Sequence, residues 1–129
     1  MEKITWDRIP NFAPSEFDSP DKPGSGLDMQ KRFMFMLQAA REQAGIPFGI
    51  NSGFRTAEHN EKVGGATSSA HLGGWAADIA ATSSRQRFII INALVKAGFT
   101  RIGIGKSFIH VDCNPNLPEL VIWHYYDKD

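Results

Sequence analysis

The sequence has a single cysteine, no excess of either charge and no long hydrophobic run. Because Cys113 stands alone, the chain can form neither an internal disulfide nor a cysteine-rich structural zinc site. Its 14 basic residues balance 14 acidic ones without a charged run, so nothing predicts a nucleic-acid partner or an anionic membrane. The apolar tracts are far shorter than the ~20 residues that span a bilayer, so no membrane insertion is predicted.

The N-terminal residues 1–21 contain no basic segment followed by an apolar run, so no signal peptide is predicted. We therefore expect synthesis in the cytosol, and action outside the cell only if another agent releases the protein. A chain of 129 residues, 42% of them hydrophobic, suits one domain over residues 1–129 with one core. We expect a monomer.

Hydrophobic periodicity predicts an α+β domain with a largely antiparallel central sheet flanked by helices. Residues 1–26 are predicted to form an irregular arm that Trp6, Phe12 and Phe17 attach to the core. The predicted elements are a helix over 27–44, a strand over 48–51, a short helix that Thr56 caps, a strand over 75–81, a helix from Ser83 or Ser84 to 97, and strands over 101–105, 108–113 and 120–126.

The two long helices each show apolar residues at spacings of three and four. The predicted buried stripe of the first helix comprises Met29, Phe33, Met36, Leu37 and Ala40. The predicted stripe of the second comprises Phe88, Ile91, Leu94 and Val95.

Candidate metal ligands stand in a glycine-rich polar stretch, residues 52–78, and in the later strand. His71 and Asp78 are seven residues apart, which on a helix would separate them by about 10 Å, so a loop that enters a strand is favoured. His110 lies in the run FIHVD, where alternation places it on the face of Phe108 and Asp112. Taken singly, His71 fits a surface or capping role, Asp78 fits bonds to backbone amides, and His110 fits a core histidine.

Three motifs together resemble peptidase family M15, which holds zinc D-Ala-D-Ala carboxypeptidases and L-alanyl-D-glutamate endopeptidases. The residues Ser69-x-His71-x-x-Gly74-x-Ala76-x-Asp78 match the family signature SxHxxGxAxD at every fixed position. The Ser-Gly-Phe-Arg that ends at Arg55 resembles the family's arginine motif, and the run over 108–112 resembles the second ligand motif of its small phage-like members. The resemblance extends over about residues 11–123.

The resemblance implies a small α+β zinc-peptidase fold with Zn²⁺ held by His71, Asp78 and His110. It implies that Arg55 binds the substrate carboxylate or the oxyanion formed at the scissile carbonyl, a role that suits a planar and permanently charged group. Ser69 would contact substrate or order its loop. The implied substrate is a peptidoglycan stem peptide, and the short chain without a wall-binding module resembles a phage or prophage lysis enzyme.

The general base is the point where this sequence departs from the resemblance. Several branches of the family carry an acid three positions before the last histidine ligand, and Ser107 occupies that position here. Asp112 is the candidate base because it shares a strand face with His110; the alternative is that it orients a metal ligand. The departure also leaves open a second function, that of a zinc-binding module without turnover.

Overall fold

A computed structural model describes residues 4–126 of the chain. Residues 1–3 of the predicted arm and residues 127–129 of the predicted domain lie outside the described part. The helices are α1 (Lys31–Ala44), α2 (Ala57–Lys62) and α3 (Ser84–Lys96), and the strands are β1 (Ile50–Ser52), β2 (Ala76–Ala80), β3 (Arg101–Ile104), β4 (Phe108–Asp112) and β5 (Val121–His124). Short 3₁₀ turns occur at Trp6–Arg8, Pro14–Phe17, Ser25–Asp28 and Ala70–Gly73.

The five strands form one sheet in the order β1-β2-β4-β3-β5. All neighbours are antiparallel except β3 and β5, which are parallel. β3 and β4 form a tight hairpin, and β5 returns alongside β3 after a longer connection. The predicted α+β class with a largely antiparallel sheet is therefore confirmed, and so is the order of its elements.

One face of the sheet packs on α1 and α3, and the other carries polar and aromatic side chains. Ile109 and Val111 of β4 are fully buried, as strand alternation predicts, and Ile79 of β2 joins them. Phe33 and Leu37 of α1 complete this layer, with the other residues of one hydrophobic cluster. Because alternate residues of a strand point to opposite faces, Asp78 and His110 lie on the side away from the helices.

The predicted bounds and stripes of the helices need two corrections. α1 begins at Lys31 and not at residue 27, because the extended Gln30 is tied to the loop before β2: its N–H donates to Gly74 O at 3.0 Å. On α3 the buried residues are Ile90, Ala93 and Leu94, whereas Phe88 and Val95 are 72% and 53% exposed. α3 is apolar over much of its circumference, so periodicity alone did not fix which side faces the core.

The N-terminal arm packs on the core through its aromatic residues. Phe12 and Phe17 are buried with their ring centroids 5.6 Å apart, and Trp6 packs against this cluster. Phe17 O also accepts a hydrogen bond of 2.9 Å from the N–H of Phe54, immediately before Arg55. The arm therefore supports the segment that carries one of the predicted site residues.

A second set of contacts joins the arm to α2 through the arm cluster, which we define as Asp18, Ser19, Asp21, Ser25 and Thr56. Asp21 accepts hydrogen bonds from the hydroxyls of Ser19, at 2.5 Å, and Thr56, at 2.6 Å, and these bonds lower its pKa. Asp18 accepts from the N–H groups of Gly24, at 3.0 Å, and Gly26, at 2.7 Å. Every carboxylate oxygen of the cluster thus has a donor.

None of the helices within residues 4–126 has the length and apolar character needed to span a bilayer.

Candidate metal centre

A row of residues crosses all five strands on the face of the sheet opposite the helices. Cross-strand pairing joins Ser52 to Asp78, Asp78 to His110, His110 to Gly103, and Gly103 to Trp123. Directly paired residues have neighbouring side chains. The register of the sheet, and not proximity in sequence, therefore brings Asp78 and His110 together.

His71 reaches the same point from the 3₁₀ turn Ala70–Gly73. The turn is capped by Ser69, whose hydroxyl accepts a 3.2 Å hydrogen bond from the N–H of His71. The imidazole Nδ1–H donates to Gly53 O at 2.7 Å, and His71 O accepts from the N–H of Arg55 at 3.1 Å. Ser69 thus orders the loop, and the segment before α2 fixes the ring orientation of His71.

His71, Asp78 and His110 converge so that one potential ligand atom from each lies within 4.8 Å of the others. Asp78 Oδ1 is 3.3 Å from His71 Nε2 and 3.0 Å from His110 Nδ1. Because His71 donates through Nδ1, its neutral ring presents a bare Nε2, and this buried atom has no hydrogen-bond partner among the described residues. Acceptor atoms that face one another in this way require a cation or a proton between them.

Asp112 binds the ring nitrogen of His110 that does not face Asp78. His110 Nε2–H donates to Asp112 Oδ2 at 2.7 Å, which leaves Nδ1 facing Asp78. Asp112 Oδ1 accepts from Arg101 Nε at 2.7 Å and, more weakly, from the N–H of Asn114 at 3.3 Å. Asp112 is 1% exposed and both its oxygens are occupied. This geometry favours the orienting alternative for Asp112 over that of general base.

The carboxylates of Asp78 and Asp112 and the imidazole of His110 shift one another's pKa. Burial opposes the charged form of Asp78, but its contacts with the imidazoles of His110 and His71 outweigh it and lower the pKa of Asp78. Burial likewise opposes the charged form of His110, and the bonds to Asp112 and Asp78 outweigh it and raise the pKa of that imidazole. Asp78 and Asp112 therefore favour a positive charge at His110, and a cation bound between the two imidazoles and Asp78 would supply that charge in place of a proton.

Arg55 lies beside the same cluster and is held by three neighbours. Its Nε donates to Ser52 Oγ at 3.3 Å, its Nη1 to Asn60 Oδ1 at 3.1 Å, and its Nη2 lies 3.5 Å from Asp78 Oδ2. Asn60 is itself buried, and its Nδ2 donates to Ala66 O at 2.9 Å. The guanidinium is therefore fixed in orientation next to the candidate metal ligands.

A cleft of about 440 Å³ opens onto these side chains. Its floor carries Asp78 and His110, one wall is the glycine-rich loop after α2, and the opposite wall is aromatic. Trp123 contributes to the aromatic wall, with its ring 5.5 Å from His110 and its face 4.9 Å from the Arg101 guanidinium. Burial raises the pKa of Tyr125, the next residue of this wall on the same face of the sheet.

The structure brings together the candidate ligands His71, Asp78 and His110, and places Arg55, Ser69 and Asp112 around them. Two further residues were missed by sequence reasoning. Arg101 pairs directly with Asp112 in the β3–β4 hairpin, and extrapolating the predicted hairpin register would have revealed it. Asn60 gave no comparable signal, because its contact with Arg55 depends on how α2 packs.

Residues 10–112 match the peptidase M15 family. The chain belongs to this family. The match includes all three candidate ligands and Arg55, so the predicted resemblance is confirmed, together with the small α+β fold that it implied.

One curated relative of this family member is the zinc D-Ala-D-Ala carboxypeptidase of Streptomyces albus G. The two are 44% identical over 71 residues, which is 54% of this chain and 27% of the relative. The chain thus matches only about a quarter of that protein's length.

Proposed function

We propose that this protein is a zinc-dependent peptidase that hydrolyses peptide bonds in peptidoglycan stem peptides. The observation that carries the proposal is the convergence of His71 Nε2, His110 Nδ1 and an oxygen of Asp78. The first of these atoms is buried and has no hydrogen-bond partner in the described part of the chain. Two imidazoles and a carboxylate form a catalytic type of zinc site, in which three protein ligands leave a fourth position open.

The residues present fit such an ion. Both imidazoles use their other ring nitrogen for a bond that fixes the tautomer, His71 to Gly53 O and His110 to Asp112, as ligand histidines commonly do. When bound, zinc would lower the pKa of a coordinated water and polarise the scissile carbonyl. The cleft gives this position access to a substrate of peptide size.

The roles proposed for the neighbouring residues follow from their contacts. Arg55 is oriented by Asn60 and Ser52 and would bind the substrate carboxylate or the oxyanion. Asp112 would orient His110, since both of its oxygens are committed. Ser69 would keep His71 in place by capping its turn, and it also lines the cleft.

The test uses an N-acetylated stem peptide that ends in D-Ala-D-Ala. Protein stripped with a chelator should release no product, and added zinc should restore release. Free D-Ala would identify a carboxypeptidase, and N-acetyl-L-Ala would identify an endopeptidase that cuts before D-Glu. His71→Ala should bind no zinc and be inactive, whereas His59→Ala, a histidine on α2 outside the cluster, should behave as wild type. Release that persists in the chelator would contradict the proposal.

A zinc-binding module without turnover is the second candidate, and one observation favours it. Ser107 lies exposed at the β3–β4 turn, and among the described residues that line the cleft Asp78 is the one acid. Stoichiometric zinc binding without product release from any stem peptide would support this candidate. The expected monomeric state, cytosolic synthesis and phage or prophage origin stay predictions.

A further inference from the structure

Tyr125 occupies a position in the cleft that neither the family match nor the metal site explains. It follows β5, and its N–H donates to Ile104 O at 3.0 Å, which keeps it in register with β3 beyond the end of the strand. Its side chain therefore lies on the same face as Trp123, two residues earlier. The ring lies 6.2 Å from that of the candidate ligand His110, edge to face, and lines the cleft.

Gly103 makes this position possible. It pairs with His110 on one side and with Trp123 on the other, so a side chain there would stand between the aromatic wall and the candidate ligands. A Cβ at Gly103 would lie 2.6 Å from Tyr125 Cε2 and 2.7 Å from Trp123 Nε1. The missing side chain thus lets both rings lean over β3 towards His110.

The hydroxyl of Tyr125 has an unused proton. The ring of Trp123 lies 6.2 Å from that of Tyr125, and its indole N–H can only donate, so Trp123 cannot take up the phenol proton. Among the hydrogen bonds formed within residues 4–126, none takes up the phenol proton. Tyr125 is half-buried and lines the cleft together with Asp78 and His110, so its O–H is a donor beside the proposed reaction site.

Resting on the proposed function, we infer that Tyr125 is a catalytic residue whose phenol donates a hydrogen bond to the scissile carbonyl oxygen as negative charge develops on it. The proton stays on the phenol, so the step needs no further reactant. A donor held in place beside the carbonyl stabilises the developing oxyanion more than the neutral carbonyl, and therefore increases kcat. Arg55 and Tyr125 would then act on the substrate from opposite walls of the cleft.

The chain offers a matched control in the adjacent tyrosine. Tyr126 is 45% exposed, stacks on His124 at 5.1 Å and accepts a hydrogen bond from Arg87 at 3.5 Å, and it does not line the cleft. Tyr125→Phe and Tyr126→Phe each remove one hydroxyl and keep the ring. Zinc content and thermal unfolding of both variants, measured first, should match those of wild type.

With the stem peptide that wild type cleaves, kcat of Tyr125→Phe should fall by about 100-fold, the usual effect of losing one oxyanion donor, while KM changes little. Tyr126→Phe should keep the wild-type kcat. A phosphinate analogue of the scissile bond should lose affinity for zinc-loaded Tyr125→Phe by a factor similar to the loss in kcat/KM.

Unchanged turnover in Tyr125→Phe, an equal loss in Tyr126→Phe, or a loss confined to KM would each overturn the inference and leave the proposed function standing. If zinc-loaded wild type releases no product, the proposed function fails and the inference falls with it.

Discussion

The arm cluster and the metal centre are both groups of polar side chains held between distant parts of the chain, but their hydrogen bonds are arranged differently. In the arm cluster each oxygen of Asp18 and Asp21 accepts a bond from a nearby N–H or O–H. In the metal centre, His71 Nε2 has no hydrogen-bond partner within residues 4–126 and faces an oxygen of Asp78 that can only accept.

This difference in hydrogen bonding indicates a structural role for the arm cluster and a ligand-binding role for the metal centre. A buried polar atom without a partner destabilises a fold by roughly 1–3 kcal/mol, so it persists where something else uses it. The arm cluster is satisfied by the chain alone and needs no ligand. The metal centre is satisfied only when a cation or a proton joins it.

The largest expected effect comes from removing the His71 imidazole from the metal centre. His71→Ala should abolish zinc binding and reduce stem-peptide hydrolysis to background, because it removes the ligand whose free nitrogen completes the site. Adding zinc at ~1000 times its Kd should raise the free energy of unfolding of wild type by about 4 kcal/mol and leave His71→Ala unchanged. Thermal unfolding with and without zinc measures this, and equal stabilisation of the two proteins would contradict the assignment.

A smaller effect is expected at Asp112, which is not a candidate ligand but orients the candidate ligand His110. Asp112→Ala frees the Nε2–H of His110 and should weaken zinc affinity by about 10–100-fold, the usual effect of losing a carboxylate behind a ligand histidine. Competition with a chromophoric chelator measures the affinity. Glu42→Ala, at an exposed acid on α1, serves as control. An unchanged affinity combined with lost turnover would instead favour Asp112 as the general base.

At Asn60 the expected change is in turnover and not in metal affinity. Asn60→Ala removes the acceptor that orients Arg55 Nη1, so kcat/KM should fall by about 10-fold or more while zinc affinity stays near that of wild type. Kinetics with the stem peptide and zinc titration measure the two quantities. Asn51→Ala, at an exposed asparagine of β1, should change neither. A parallel loss of zinc would show that Asn60 acts on the whole loop and not through Arg55.

The smallest effect on function is expected from a substitution in the arm cluster. Asp18→Ala leaves the N–H of buried Gly26 without its acceptor and should lower the free energy of unfolding by about 1–3 kcal/mol. Zinc affinity and kcat should not change in the folded protein. Chemical denaturation measures the stability, with Asp7→Ala at an exposed site as control. A substantial loss of zinc affinity would show that the two clusters are coupled through the segment before α2.

The sequence predicted the order of the elements and the three candidate ligands that the structure brings together, because both leave short-range patterns. The SxHxxGxAxD run places His71 and Asp78, and alternation in FIHVD places His110 and Asp112 on one face. The sequence did not predict the contacts that depend on how separate helices, strands and loops pack together. The Arg55–Asn60 bond and the rotation of α3 are of this kind. The position of Trp123 and Tyr125 in the cleft likewise depends on the strand register that places them beside Gly103.

The division of the sheet into interior and edge strands has a consequence for divergence among related enzymes. Asp78 and His110 sit on interior strands, where an exchange disturbs neighbours on both sides, whereas Trp123 and Tyr125 belong to the outermost strand segment and have a neighbour on one side. Mutations in that outer segment can therefore accumulate at low cost to folding. We would therefore expect differences in substrate preference to arise there before any change at the candidate ligands.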